Sequence, residues 1–106
     1  MNQPKSAYLI ASAILPEGHA SLAAYGQAAQ PIFKAYGAQV LAVGTSSQQV
    51  NVMEGQWSNP DARVSLVKFP SMAQLTDCLN SDGYLAIKHL RTDIITSNFS
   101  VAVESV

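Results

Sequence analysis

The feature that most constrains this chain is that its predicted strands carry apolar side chains on both faces. The first strand is Tyr8 to Leu15, a short apolar run ended by Pro16 and Gly18, and such a run is typical of a buried strand. Because residues alternate between the two faces of a strand, the two sets are Tyr8, Ile10, Ser12 and Ile14, and Leu9, Ala11, Ala13 and Leu15. Both sets are largely apolar, so we expect both faces to be covered.

A helix is predicted from His19 to Tyr36, because apolar residues recur there at three- and four-residue steps. Pro31 lies inside this pattern, where proline removes a backbone hydrogen bond at a cost of about 3 kcal/mol. The helix is therefore expected either to kink near Pro31 or to consist of two pieces. Gly37 is a natural end for it.

The middle of the chain predicts further strands. Gln39 to Val43 and the alternating segment Val50 to Trp57 are joined by a polar turn, which is typical of a hairpin. The loop from Ser58 to Ala62 leads to the next strand, Arg63 to Phe69.

The last third predicts a second helical region and a final strand. Ser71 is a good N-cap for a helix with its apolar stripe at Met72, Leu75 and Leu79. Asn80 to Gly83 breaks this helix, and Tyr84 to Leu90 predicts one or two further turns. Ile94 to Val103 is the last strand.

Apart from one additional strand among residues 39–69, the order of elements is typical of the split βαβ pattern, strand, helix, strand, strand, helix, strand. It predicts a single α+β domain over residues 1–106, a ferredoxin-like βαββαβ unit with an antiparallel sheet and both helices on one face. Charged residues make up 12% of the chain, about half the usual ~25%. We therefore expect a second copy to cover the other face, in a homodimer. The alternative explanation of the low charge is a surface rich in Ser, Thr, Asn and Gln, which this chain also has.

Composition also excludes some partners. The formal net charge is −1 without a basic run, which argues against nucleic acid, and no stretch approaches the ~20 apolar residues of a membrane span. The single cysteine, Cys78, cannot form an internal disulfide, so a reducing, cytoplasmic location is expected. A secretory signal at the N-terminus is the alternative, but Pro16 and Glu17 interrupt it.

A set of short motifs along the chain has a familiar order and spacing. They are Tyr8-Leu9-Ile10, Tyr25, Tyr36-Gly37, Glu54-Gly55, Arg63, Phe69-Pro70-Ser71, Tyr84 and Arg91. In these the chain resembles the domain of unknown function 1330 family, within the dimeric α/β-barrel superfamily. The resemblance implies a ferredoxin-like protomer and a dimer with two sheets face to face. It implies no reaction.

Two charged residues are candidates for a ligand site. Glu54 lies in a segment predicted to be a strand, where a buried carboxylate would have a raised pKa and act as a base or a ligand anchor. The structural alternative is an ion pair with Arg63, Arg91 or a partner subunit. Arg91 could hold a ligand carboxylate bidentately, or pair with Glu54 or Asp93.

Aromatic and histidine side chains are the other candidates. Four aromatic residues, Trp57, Tyr8, Tyr25 and Tyr84, could line an aromatic pocket, although at such spacings core or interface roles are the alternative. Either His19 or His89 could act near neutral pH, but no nucleophile or metal-ligand spacing accompanies them. We expect no metal site and no cofactor.

Three functions remain open from the sequence. The first is a homodimeric domain that binds a small organic ligand between sheet and helices. The second is a cofactor-free monooxygenase or isomerase of a small aromatic compound, an expectation by analogy of fold. The third is an assembly module without a ligand.

Overall fold

The apolar run near the N-terminus forms an inner strand of a four-stranded sheet in the computed structural model. The structure describes residues 4–14, 22–44, 50–55, 63–95 and 97–106. In these residues the strands are β1 Ala7–Ile14, β2 Gln39–Gly44, β3 Arg63–Phe69 and β4 Ser97–Glu104. The helices are α1 Ala23–Ala35, α2 Met72–Leu79, α3 Asp82–Ile87 and α4 His89–Thr92. The sheet order is β2-β3-β1-β4 with every pair antiparallel, which confirms the α+β, ferredoxin-like prediction.

Helix α1 ends in the way that the sequence predicts. The backbone N–H of Ala38 donates to the carbonyl of Phe33, and that of Gly37 donates to the carbonyl of Lys34, both at 3.0 Å. Gly37 has a φ of 80°, so this end is a Schellman motif with glycine in its left-handed position. The helix runs through Pro31 as one element, and the two-piece interpretation is therefore wrong.

The helices cover one face of the sheet and leave the other accessible. On the covered face, β1 and β3 pack against α2 in a core of Ala7, Leu9, Val67, Phe69, Leu75 and Cys78. The opposite side, which we call the open face, is lined by Tyr8, Ile10, Ile14, Val64, Leu66, Phe99, Val101 and Val103. Phe99, Val101 and Val103 are 47%, 48% and 52% exposed. The sheet is thus apolar on both faces, as predicted.

The predicted hairpin of residues 39–43 with 50–57 is wrong. Residues 50–55 form no strand, and β2 pairs with β3 instead. Gly55 has a φ of 80°, a conformation that a regular strand does not contain. Without this extra strand the chain has the βαββαβ order. Trp57 and the rest of 56–62 lie outside the described residues.

Other boundaries differ by a few residues. α3 begins at Asp82, so Gly83 lies in the helix, and Lys88 separates α3 from α4. Ile94 and Ile95 precede β4, so the last strand begins later than predicted. The Ile95 side chain is buried, but the residue is not paired in the sheet. The predicted cap of α2 is confirmed, because the Ser71 hydroxyl accepts a hydrogen bond from the Gln74 backbone N–H at 3.1 Å.

Candidate functional site

A cavity of about 380 Å³ lies between the covered face of the sheet and the helices. Its floor is a row of small side chains that face one another across three strands. Ala11 in β1 lies opposite Ser65 in β3 and opposite Ser100 in β4, and all three line the cavity. Because these side chains are short, the helices above them leave space that the larger core residues fill elsewhere in the sheet.

Two phenols and a guanidinium meet in the wall of this cavity. The hydroxyl oxygens of Tyr25 and Tyr84 are 2.8 Å apart and share a hydrogen bond, and their rings meet edge to face. Nη2 of Arg91 donates to the Tyr84 hydroxyl at 3.5 Å. Cζ of Arg91 lies 5.7 Å from the centre of the Tyr25 ring, within the range of a cation–π interaction. We call these three residues the phenol–arginine cluster.

The local fold positions each member of this cluster. The hydroxyl of Ser81 caps α3 by accepting from the Tyr84 backbone N–H at 3.2 Å. The Tyr84 ring lies against Phe33 of α1, which also contacts Phe69 of β3. Since Tyr84 is only 4% exposed, its hydroxyl is anchored by the core while still facing the cavity.

The environment of the cluster shifts two pKa values. Burial raises the pKa of Tyr25 well above its usual value, and the hydrogen bond with Tyr84 adds to this, whereas Arg91 acts in the opposite direction. Tyr25 is therefore a neutral hydroxyl near pH 7. Burial acts to lower the pKa of Arg91, but its interactions with Tyr84 and Tyr25 outweigh this and raise it. Arg91 is therefore a permanent cation.

All charged side chains among the described lining residues are cationic. Arg63, Lys88 and Arg91 line the cavity, whereas no described carboxylate or histidine does. The remaining lining is mainly apolar, with Leu9, Leu22, Phe33, Val43, Val67 and Leu79 among its members. An apolar chamber with cationic groups in its wall is suited to an organic molecule with an acceptor or an anionic group.

The structure brings together three of the candidate site residues. Tyr25, Tyr84 and Arg91 line the cavity. Glu54 is exposed in the segment 50–55 and does not line it, so the expectation of a carboxylate on a buried strand is wrong, because that segment is not in the sheet. Trp57 and His19 lie outside the described residues.

The sequence interpretation missed Lys88 and the small floor residues. Lys88 stands between two short helices, where nothing in the sequence marks it as facing a cavity. Ala11, Ser65 and Ser100 are ordinary residues singly, and only the strand register makes them neighbours. Only knowledge of which residues face one another across the strands would have identified this row.

The described residues contain neither a cluster of metal ligands nor a membrane-spanning helix. No group of three or more histidine, cysteine or acidic side chains is arranged to hold a metal ion there. In the same part of the chain, no helix has both the length and the apolarity to cross a membrane.

Comparison with known families and proteins gives a family without an assigned activity. The family described as Domain of unknown function (DUF1330) matches residues 6–106. No curated protein matches the chain.

Solved structures share the fold at low sequence identity. A protein of unknown function from Rhodopseudomonas palustris is 15% identical with a TM-score of 0.75, covering 98% of this chain and 85% of that one. A "putative antibiotic biosynthesis monooxygenase" from Bordetella bronchiseptica is 17% identical with a TM-score of 0.68, covering 96% and 98%. A similarly named protein from Caulobacter crescentus is 13% identical with a TM-score of 0.67, covering 97% and 92%. At these identities the similarity shows the fold alone.

Proposed function

This chain belongs to the DUF1330 family, and from that premise we propose that it binds a small organic molecule in the cavity between sheet and helices. The observation that carries the proposal is the cavity itself, about 380 Å³ in volume, which falls within the usual range for small-molecule sites of about 300–1,000 Å³. The mainly apolar lining supplies binding energy and the phenol–arginine cluster supplies orientation.

The proposal is tested with a neutral, apolar fluorescent probe, N-phenyl-1-naphthylamine, and a variant that fills the cavity. Ala11→Leu adds bulk to the cavity floor, and we expect it to weaken binding about fivefold or more, since overpacking a filled site costs ~1–3 kcal/mol. The measurement is a fluorescence titration of the probe.

The matched control is Ala102→Leu. Ala102 lies opposite Leu9 on the same face of the sheet, but it is exposed and does not line the cavity. We expect wild-type affinity from this variant. Absence of saturable binding to the wild type, or equal effects of the two variants, would refute binding in this cavity.

A reaction is the second candidate, on the observation that several proteins with this fold carry the name "putative antibiotic biosynthesis monooxygenase". A cofactor-free reaction needs a group that moves a proton. Among the described residues that line the cavity none is a carboxylate or a histidine, and Tyr25 is held as a neutral phenol. The described lining therefore favours binding over catalysis.

The open face supports a second part of the proposal, a homodimer in which two sheets meet. Three valine and phenylalanine side chains of β4 are about half exposed there, and a contiguous apolar surface of this kind is typical of an interface. An assembly role and a ligand site do not compete, because the residues of the open face, apart from Val64, do not line the cavity. The cytoplasmic location remains a prediction.

A further inference from the structure

We infer that the ligand of this cavity is an organic carboxylate with an apolar body, held by Arg91 and by one phenolic proton of the Tyr25–Tyr84 pair. This inference rests on the proposed function and adds the chemical class of the ligand. It follows from three observations: the absence of a carboxylate partner for Arg91 among the described residues, the count of hydroxyl protons in the phenol–arginine cluster, and the mainly apolar remainder of the lining.

The first observation is that most N–H donors of Arg91 have no acceptor among the described residues. A guanidinium carries five N–H groups, and the hydrogen bond recorded for Arg91 is a long one of 3.5 Å to the Tyr84 hydroxyl. Its other neighbour in the described residues is Tyr25, whose ring lies against the guanidinium and whose hydroxyl also interacts with it, so most of the five donors have no acceptor there. Within the described part of the chain no carboxylate pairs with Arg91, and a half-buried cation without a counter-ion favours an anionic ligand.

The second observation concerns the protons of the two phenols. Tyr25 and Tyr84 carry one hydroxyl proton each, and a single hydrogen bond joins their oxygens. Arg91 is a donor to this pair, and a guanidinium has no acceptor, so it cannot accept a hydrogen bond from either hydroxyl. Whichever phenol donates to the other, one O–H remains, and no acceptor for it is found among the described residues. Since both tyrosines line the cavity, the remaining proton is available to a ligand oxygen.

The third observation separates a carboxylate on an apolar body from a small inorganic anion. Phe33, which contacts Tyr84, lines the cavity together with Leu22 and Leu79, and these side chains offer no hydrogen bonds and favour hydrocarbon or an aromatic ring. The planar fork of a guanidinium matches the two oxygens of a carboxylate. A ligand with both features uses the whole cavity.

The experiment compares 2-naphthoate with 2-naphthalenemethanol by isothermal titration calorimetry, because the two share a ring system and differ in charge. We expect the wild type to bind the carboxylate at least about tenfold more tightly, as hydrogen bonds to charged groups are worth ~1.5–3 kcal/mol. Arg91→Gln should abolish this preference and leave the affinity for the alcohol unchanged. Lys34→Gln removes an exposed charge of α1 outside the lining and should keep the preference.

The phenols give a second readout that a merely structural role would not produce. In Tyr25→Phe or Tyr84→Phe the surviving hydroxyl no longer donates to its neighbour, so each single variant still offers one proton. Only the double variant offers none. We therefore expect the loss of preference for the carboxylate to be small in each single variant and large in the double one.

Each result has a defined meaning. Equal binding of the two probes to the wild type, or a preference that survives Arg91→Gln, would overturn the carboxylate inference and leave the proposed cavity intact. Additive losses from the two phenol variants would overturn the shared-proton arrangement. If neither probe bound and N-phenyl-1-naphthylamine also failed to bind, the proposed function would fall with the inference.

Discussion

Tyr25 shows how the surroundings of one residue set its chemistry. Burial disfavours the charged phenolate, and the hydrogen bond to Tyr84 holds the proton further, so the pKa is raised. The neighbouring guanidinium of Arg91 only partly opposes this. The sequence marks Tyr25 as an aromatic residue on a helix, but the burial and the partner that decide its protonation come from α3 and α4.

Titration of the tyrosines tests this assignment. We expect Tyr25 to ionise at a higher pH than an ordinary tyrosine, whose pKa is ~10. The near-ultraviolet absorbance should show this late, high-pH transition in the wild type, and Tyr25→Phe should remove it. The unfolded chain releases the proton at the ordinary pKa, whereas the folded chain retains it. The free energy of unfolding should therefore fall as pH rises above ~10, and less steeply in Tyr25→Phe. A late transition that survives in the variant would contradict the assignment.

At the scale of elements, two glycines of the α1 region show how local signals act, one inside the helix and one just after its end. The Schellman end of α1 places Gly37 against Pro70, and a Cβ built on Gly37 would lie 2.7 Å from Pro70 Cγ. Glycine is therefore needed there for both its backbone conformation and its lack of a side chain. Gly26, inside the same helix, has open space around it.

This contrast predicts opposite effects of one substitution. Gly37→Ala should lower the free energy of unfolding by more than about 1 kcal/mol, since the left-handed conformation is costly for alanine and the new methyl group meets Pro70. Gly26→Ala, the matched control, should raise it by ~0.5–1 kcal/mol because alanine is the better helix former. Urea unfolding at one protein concentration measures both. A neutral Gly37→Ala would show that the turn relaxes freely.

At the scale of the whole molecule, the sheet separates two tasks. One face packs on the helices and holds the cavity, and the open face is the surface of the proposed homodimer. Burial of apolar area is worth about 25 cal/mol per Å², so two open faces brought together gain stability without changing the cavity. The low share of charged residues is consistent with this arrangement.

Sedimentation equilibrium tests the homodimer at this scale. We expect the wild type to sediment at twice the chain mass of 11.3 kDa and Val101→Lys to sediment as a monomer, because a charge in the middle of the open face cannot be desolvated cheaply. Leu85→Lys is the control, since Leu85 is also about half exposed, at 53%, but on α3. A monomeric wild type, or equal effects of the two lysines, would refute the interface.

Much of the fold follows from the sequence by itself, because it depends on neighbouring residues. Short runs rich in apolar residues identify β1 and β3, alternation makes both faces of β1 apolar, Ser71 caps α2, and Gly37 ends α1. These are short-range effects of side-chain spacing and backbone conformation. The false strand at 50–55 marks their limit, since Val50 and Val52 alternate but pair with no strand among the described residues.

The candidate site, in contrast, was decided by tertiary structure. Tyr25 and Tyr84 are 59 residues apart and meet only because α1 and α3 pack on the same face of the sheet. The cavity exists because the register sets Ala11 beside Ser65 and Ser100. Spacing along a chain carries no information on such pairings, because they are fixed by which strands are neighbours and by how helices fill the space above them.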